Sequence, residues 1–199
     1  MDQEETYTID ALRAGDREAF AAMVDEYSPK LYRLALRMLG DPLEAEDVLQ
    51  ESFLKVYNAI DQFEGRSKLG TWLYRITSNE ALMRLRKKRP DLVSMDEPIQ
   101  LDKGDTMPRQ LEDWCCLPEE EFITAEAMLQ LDRAMDDLSP ALKAAFVLRD
   151  LQGLSTEEAA ESLEISESAL KTRLSRARLQ LREALSTYFG DRAKEFSHG

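Results

Sequence analysis

Near the C-terminus, Leu170, Leu174, Ala177, Leu181 and Leu185 recur at steps of four and three, a spacing that lines them along one face of a helix and requires that face to be buried. The residues just before them fix what this helix is joined to. Ser155 with Glu158 three positions later is a capping box, in which side chain and backbone satisfy each other's unpaired groups at a helix start. Gly153 breaks the preceding segment, and Ala159, Ala160 and Leu163 give the short helix an apolar stripe. Ile165-Ser166 forms the corner, and Ser166 caps the second helix from Glu167. Leu154 to Leu185 therefore reads as a helix, a tight turn and a helix.

At about 100° per residue, Lys171, Ser175, Arg178 and Arg182 form one row almost opposite the leucines, with Thr172 and Arg176 beside it. Such cations and hydroxyls reach phosphate oxygens and base edges, and a helix of this width fits the major groove. A solvated amphipathic face is the plainer reading. The combination of short capped helix, turn and cationic helix favours DNA.

Against this stands a net charge of −13. The charge is unevenly placed: residues 1–90 carry 14 Lys and Arg against 16 Asp and Glu, residues 130–199 carry 10 against 12, and residues 91–129 carry 2 against 11. The acidity thus lies in the middle, and each flanking part is nearly neutral with local basic rows. Distribution decides partners more than the total does.

In chain order, residues 1–9 read as a tail and residues 10–90 as a first helical domain. Asp16 caps a helix carrying Phe20, Met23, Val24 and Tyr27; Ser28-Pro29 restarts a helix that stops at Gly40; Asp41-Pro42 starts a third. That third helix has a core stripe of Ala45, Val48, Leu49, Phe53, Val56, Tyr57 and Ile60, and an opposite strip of Asp47, Gln50, Glu51 and Leu54 that by itself reads as solvated. After a loop, FEGRSKLG, the helix TWLYRITSNEALMRLRKKR carries Trp72, Ile76, Leu82 and Leu85 and ends in a cationic cluster before Pro90. An aromatic followed by Arg75, Asn79 and cations suits a strand whose bases stack or flip out; a core tryptophan with cations at a helix C-terminus explains the pattern equally well. Residues 91–123 read as an acidic flexible linker, with Pro98, Pro108 and Pro118 following Pro90. Residues 124–189 form a second helical domain, with Ser139-Pro140 starting one of its helices, and residues 190–199 a tail. The fold class is all-α, two small helical domains joined by that linker.

No apolar run approaches the roughly 18 residues of a membrane helix, and the acidic start MDQEETYTID is no secretory signal. A cytoplasmic protein is expected. Cys115 and Cys116 are adjacent and His198 is the single histidine, so no metal site and no cofactor is proposed. The cysteines read as small apolar residues beside Trp114 and Leu117; a redox-sensing pair would need a lowered thiol pKa. Phosphate-binding and hydrolase signatures are absent, and an enzyme is not expected.

DVLQESFLKVY, then FEGRSKLGTWLYRITSN with its basic end, then a linker and a helix-turn-helix, occur here in one order. In that order they resemble the extracytoplasmic-function (ECF) group of bacterial sigma factors, the smallest of the sigma-70 family, over about residues 16–90 and 125–187. The resemblance implies that residues 10–90 are sigma region two and 124–189 sigma region four. It implies that Asp47, Gln50, Glu51 and Leu54 dock on the β′ clamp helices of core RNA polymerase, overturning the solvated reading of that strip. Phe63, Ile76 and Asn79 would wall a pocket for a flipped minus-ten base, supported by Trp72 and Arg75, with Arg84 and Arg86 in the basic end. Lys171, Thr172, Arg173, Ser175, Arg176 and Arg178 would read the minus-thirty-five element, and the same domain would hold the β flap. The tandem tryptophans typical of the housekeeping members stand here as Trp72-Leu73, which implies less autonomous and more promoter-selective melting, as in the small group. The resemblance also implies an anti-sigma factor, often membrane-bound in this group, while this chain is expected not to be membrane-embedded itself. A free-standing helix-turn-helix transcriptional regulator is the alternative; it explains the C-terminal motif but not Phe63–Arg89.

Overall fold

The computed structural model describes residues 7–88 and 125–196, with side chains over 7–88 and 129–186. The sequence readings of the linker, Cys115, Cys116 and His198 lie outside them. Among the described residues every regular element is helical: α1 (Ile9–Arg13), α2 (Arg17–Leu39), α3 (Pro42–Ala59), a 3-10 turn (Ile60–Gln62), α4 (Leu69–Lys88), α5 (Ala125–Asp136), α6 (Pro140–Phe146), a π-helical turn (Val147–Leu151), α7 (Thr156–Ser162) and α8 (Glu167–Phe196).

The starts follow local chemistry. Asp16 accepts from the backbone N–H groups of Glu18 and Ala19 at 2.8 and 3.1 Å, and Asp41 from those of Leu43 and Glu44 at 2.9 and 3.2 Å. Both aspartates satisfy donors that the first helical turn leaves unpaired. Gly40 ends α2 with φ +71°, and its N–H donates to the Leu36 carbonyl at 2.8 Å.

Three sequence expectations are corrected. Ser28-Pro29 does not start a new helix: α2 runs through it, although Pro29 cannot donate to the carbonyl four residues back. Met23, Tyr27, Leu31, Leu34 and Met38 form one buried stripe across the proline, and this burial outweighs the single lost bond. Ser28 turns its hydroxyl to the Val24 carbonyl at 2.6 Å. Tyr7, placed in the tail, is buried and donates to Glu26 at 3.0 Å. Beyond Phe189, α8 continues through Gly190 to Phe196; an isolated helical glycine disfavours the helix by about 1 kcal/mol without ending it.

The buried side chains form two clusters. One joins Leu12, Met23, Tyr27, Leu31, Val56, Phe63, Trp72 and Leu73 within the N-terminal half. The other runs from Leu34, Met38, Val48, Leu82 and Leu85 into Met135, Leu142, Leu148, Ala159, Leu170 and Leu174. The two helical domains therefore share a core, with α4 packed against α2, α3, α6 and α7. Where the start of α4 approaches α2, a Cβ on Gly70 would lie 3.2 Å from the Tyr27 ring, close enough that the ring would have to shift by a few tenths of an ångström.

Leu170 is fully buried whereas Leu179, on the same helix, is 53% exposed. Leu170→Ala should lower the unfolding free energy by about 2–5 kcal/mol, and Leu179→Ala by no more than about 0.5 kcal/mol, as urea denaturation will read.

Candidate nucleic-acid and docking interfaces

The C-terminal site is built on the turn between α7 and α8. Ser155 Oγ accepts from the Glu158 N–H at 3.1 Å while Glu158 accepts from the Ser155 N–H at 3.0 Å, so the capping box read from the sequence is present. Ser166 Oγ accepts from the Ala169 N–H at 3.2 Å and starts α8. Between them Glu164 takes φ +53°, a left-handed conformation that costs a side-chain-bearing residue roughly 1–2 kcal/mol.

On α8, Lys171 is exposed beside Glu167 at 3.2 Å, and Thr172 donates to the Ser168 carbonyl at 2.9 Å. Arg173, Ser175 and Arg176 are half-exposed, and the two arginines make no ion pair among the described residues. Arg178 differs. Its guanidinium donates twice to Asp150 of the π-helical turn, at 2.9 and 2.8 Å, a forked pairing that ties α8 to the turn.

In the N-terminal half, Phe63 and Trp72 pack ring on ring with centroids 5.1 Å apart, and Phe63 is only 4% exposed. Arg13 donates to the Phe63 carbonyl from below. Ile76 and Asn79 are half-exposed on α4 and Arg86 is exposed. Other cations of this region face carboxylates of the C-terminal half: Lys68 pairs with Glu158 at 2.9 Å and Arg75 with Glu164 at 3.7 Å, while Ser162 Oγ donates to the Thr71 carbonyl at 3.3 Å. Lys68, Thr71 and Glu158 line a cleft of about 670 Å³ that also holds Tyr27, Lys30, Arg33 and Tyr74. Hydrogen bonds from the Ser155 backbone and from Lys68 hold the Glu158 carboxyl below its usual range. Burial, together with Glu158 and against Arg33, raises the Tyr74 phenol.

The α3 strip is at the surface, with Leu54 63% exposed and Asp47, Gln50 and Glu51 around it. Tyr57, expected in the core, is 58% exposed and meets Phe20 edge to face at 5.2 Å. With Phe53, Leu54 and Gln50 these rings line a second open cleft. Sequence reading missed Tyr57 as a surface group, though it lies three residues beyond Leu54 on the same strip, whereas Phe20 is half-buried against the N-terminal core. Arg84, placed with the DNA-facing cations by the sequence, instead donates to Glu51 at 2.9 Å and approaches Asp47 at 3.4 Å. Partial burial opposes its charge, but bonds and charges from Glu51 and Asp47 outweigh it and the net shift is upward. Lys88–Glu44 at 2.6 Å and Lys55–Glu80 pair the same two helices on either side.

Among the described residues no group of three or more His, Cys, Asp or Glu could hold a metal ion, and no helix is long and apolar enough to cross a membrane.

The structure is thus an all-helical protein in two parts, an N-terminal helical unit with an acidic strip and a C-terminal helix-turn-helix with a cationic face. The profile described as Sigma-70 region 2 matches residues 23–90, and that described as Sigma-70, region 4 matches residues 128–181. The chain is 38% identical over 177 residues to the ECF RNA polymerase sigma factor SigW of Bacillus subtilis (strain 168), covering 89% of this chain and 94% of that one. It is 31% identical over 186 residues to the RNA polymerase sigma-H factor of Pseudomonas aeruginosa, covering 92% and 94%. Its fold is similar to that of CnrH in complex with the cytosolic domain of CnrY (TM-score 0.62, 22% identity, 90% and 95% covered). It is also similar to the sigma factor RpoE in complex with the anti-sigma factor NepR from Bartonella quintana (TM-score 0.60, 25% identity, 85% and 98% covered). The chain belongs to the ECF group of the sigma-70 family of RNA polymerase sigma factors. That membership favours the sigma-factor reading over a free-standing regulator.

Glu164→Gly relieves the left-handed strain and removes the partner of Arg75, whereas Glu164→Ala only removes the partner. The glycine variant should be the more stable of the two by about 1 kcal/mol, measured by thermal denaturation.

Proposed function

We propose that this sigma factor docks core RNA polymerase through the α3 strip and brings it to promoters read at two points. Asp47, Gln50, Glu51 and Leu54 meet the β′ clamp helices. Phe63, Trp72, Arg75, Ile76, Asn79 and Arg86 handle the minus-ten element, and Lys171, Thr172, Arg173, Ser175 and Arg176 on α8 read the minus-thirty-five element. The observation that carries this reading is the exposed leucine among acids and an amide on α3, in the same chain as half-exposed arginines on a helix-turn-helix that make no ion pair among the described residues. Arg178, committed to Asp150, orients α8 and contributes less to base contact. Residues 10–90 act as region two and 124–189 as region four, the latter also holding the β flap. The protein acts in the cytoplasm, catalyses no reaction of its own, and is held inactive by an anti-sigma partner of the kind that the RpoE–NepR complex contains.

Purified core polymerase should give promoter-specific transcripts with this chain and none without it. Asp47→Ala with Gln50→Ala should abolish co-purification with core while the fold persists. Lys171→Ala or Arg176→Ala should weaken the minus-thirty-five footprint by roughly 1–3 kcal/mol per lost base contact. An unaltered footprint would overturn the α8 assignment.

When the minus-ten strand is bound, its phosphates replace Glu158 and Glu164 as partners of Lys68 and Arg75. Glu158→Gln with Glu164→Gln should therefore tighten binding of a single-stranded minus-ten oligonucleotide by about threefold or more, and unchanged affinity in fluorescence anisotropy would refute this exchange. Glutamine at 158 preserves the capping box, so the comparison is free of a helix-start defect.

A further inference from the structure

Asp47 and Glu51 stand one helical turn apart on α3, both largely exposed. Like charges at that spacing repel and leave each other's side chains dispersed among rotamers. Arg84 crosses from α4 and places one guanidinium nitrogen on each carboxylate, 3.4 Å from Asp47 and 2.9 Å from Glu51. Its own side chain is 26% exposed against 65% and 49% for the two acids, so the cation lies behind the carboxylates and they remain presented outward. A planar, always-charged fork can bridge two acceptors in this way; a lysine would serve one at a time.

We propose that Arg84 is a positioning residue of the polymerase-docking strip. It holds Asp47 and Glu51 in fixed geometry for a cationic face on the partner, and it does not contact minus-ten DNA. This rests on the reading of the α3 strip as the docking surface. The guanidinium lowers the repulsion between the acids before the partner arrives, so less side-chain freedom is lost on binding. It also sets the strip's charge at one negative unit for these three side chains, which limits non-specific attraction to other basic surfaces.

The test titrates the full-length chain against core polymerase, then measures promoter binding at saturating core across a salt series. Arg84→Ala should weaken core affinity by about threefold to tenfold, and Arg84→Lys by less. In a chain already carrying Asp47→Asn and Glu51→Gln, Arg84→Ala should add no further loss, a coupling that a general folding lesion would not produce. The salt dependence of promoter binding should be unchanged. If Arg84→Ala spares core affinity and lowers the salt slope by about one ion, Arg84 is a phosphate contact and the proposal falls while the docking strip stands. An independent, additive loss in the Asp47→Asn, Glu51→Gln background would also overturn it. If Asp47→Asn with Glu51→Gln leaves core affinity intact, the docking reading itself fails and this inference with it.

Discussion

Helix α4 packs against α2, α3, α6 and α7, and the architecture depends on how its twenty residues are shared among them. Trp72 and Leu73 belong to the N-terminal cluster, while Ala81, Leu82 and Leu85 join the core that continues into the C-terminal half. Polar residues are buried along the same helix, including Thr71, Thr77, Ser78 and Glu80. Small polar side chains at such crowded positions let helices approach closely, and the Thr77 and Ser78 hydroxyls have no hydrogen-bond partner among the described residues. A helix committed this way lacks a single apolar stripe, so its burial is decided by tertiary partners and not by its own pattern.

That distinction separates what the sequence disclosed from what it did not. Caps at Asp16, Asp41, Ser139 and Ser155 were readable because donor and acceptor lie within three residues of each other. The α8 leucines were readable because one face of that helix is buried throughout, from Leu170 to Leu181. Pro29 misled because a local rule about proline competes with a long buried stripe that only the assembled core rewards. Tyr57 misled because an aromatic can satisfy a helical pattern and still finish against Phe20 at the surface. For the candidate sites, helix projection brought Asp47, Gln50, Glu51 and Leu54 together on one strip and the α8 cations on one face. It could not see that Arg84 and Arg178 would be claimed by acids 33 and 28 residues away, since a projection contains no second helix.

Opposite charges also meet where the two halves pack together. Lys68 and Arg75 face Glu158 and Glu164 across the two halves, so basic positions in one half are answered by acids in the other. Exposed pairs of this kind contribute little to stability, up to about 1 kcal/mol each, and are exchanged at small cost for other anions, which suits contacts that must be made and unmade.

The cross-helix pairs between α3 and α4 also carry information about alignment. Glu44 meets Lys88, Glu51 meets Arg84, and Lys55 meets Glu80, with acids on the early part of α3 facing cations at the end of α4 and the order reversed further along. Sliding one helix by a turn in one direction would set Glu51 against Glu80; sliding it the other way would set Lys55 against Arg84. Either slip replaces an attraction with a repulsion. The reversal of sign along the pair thus adds a modest electrostatic penalty to either slip, on top of what the packing of the buried residues between the two helices imposes.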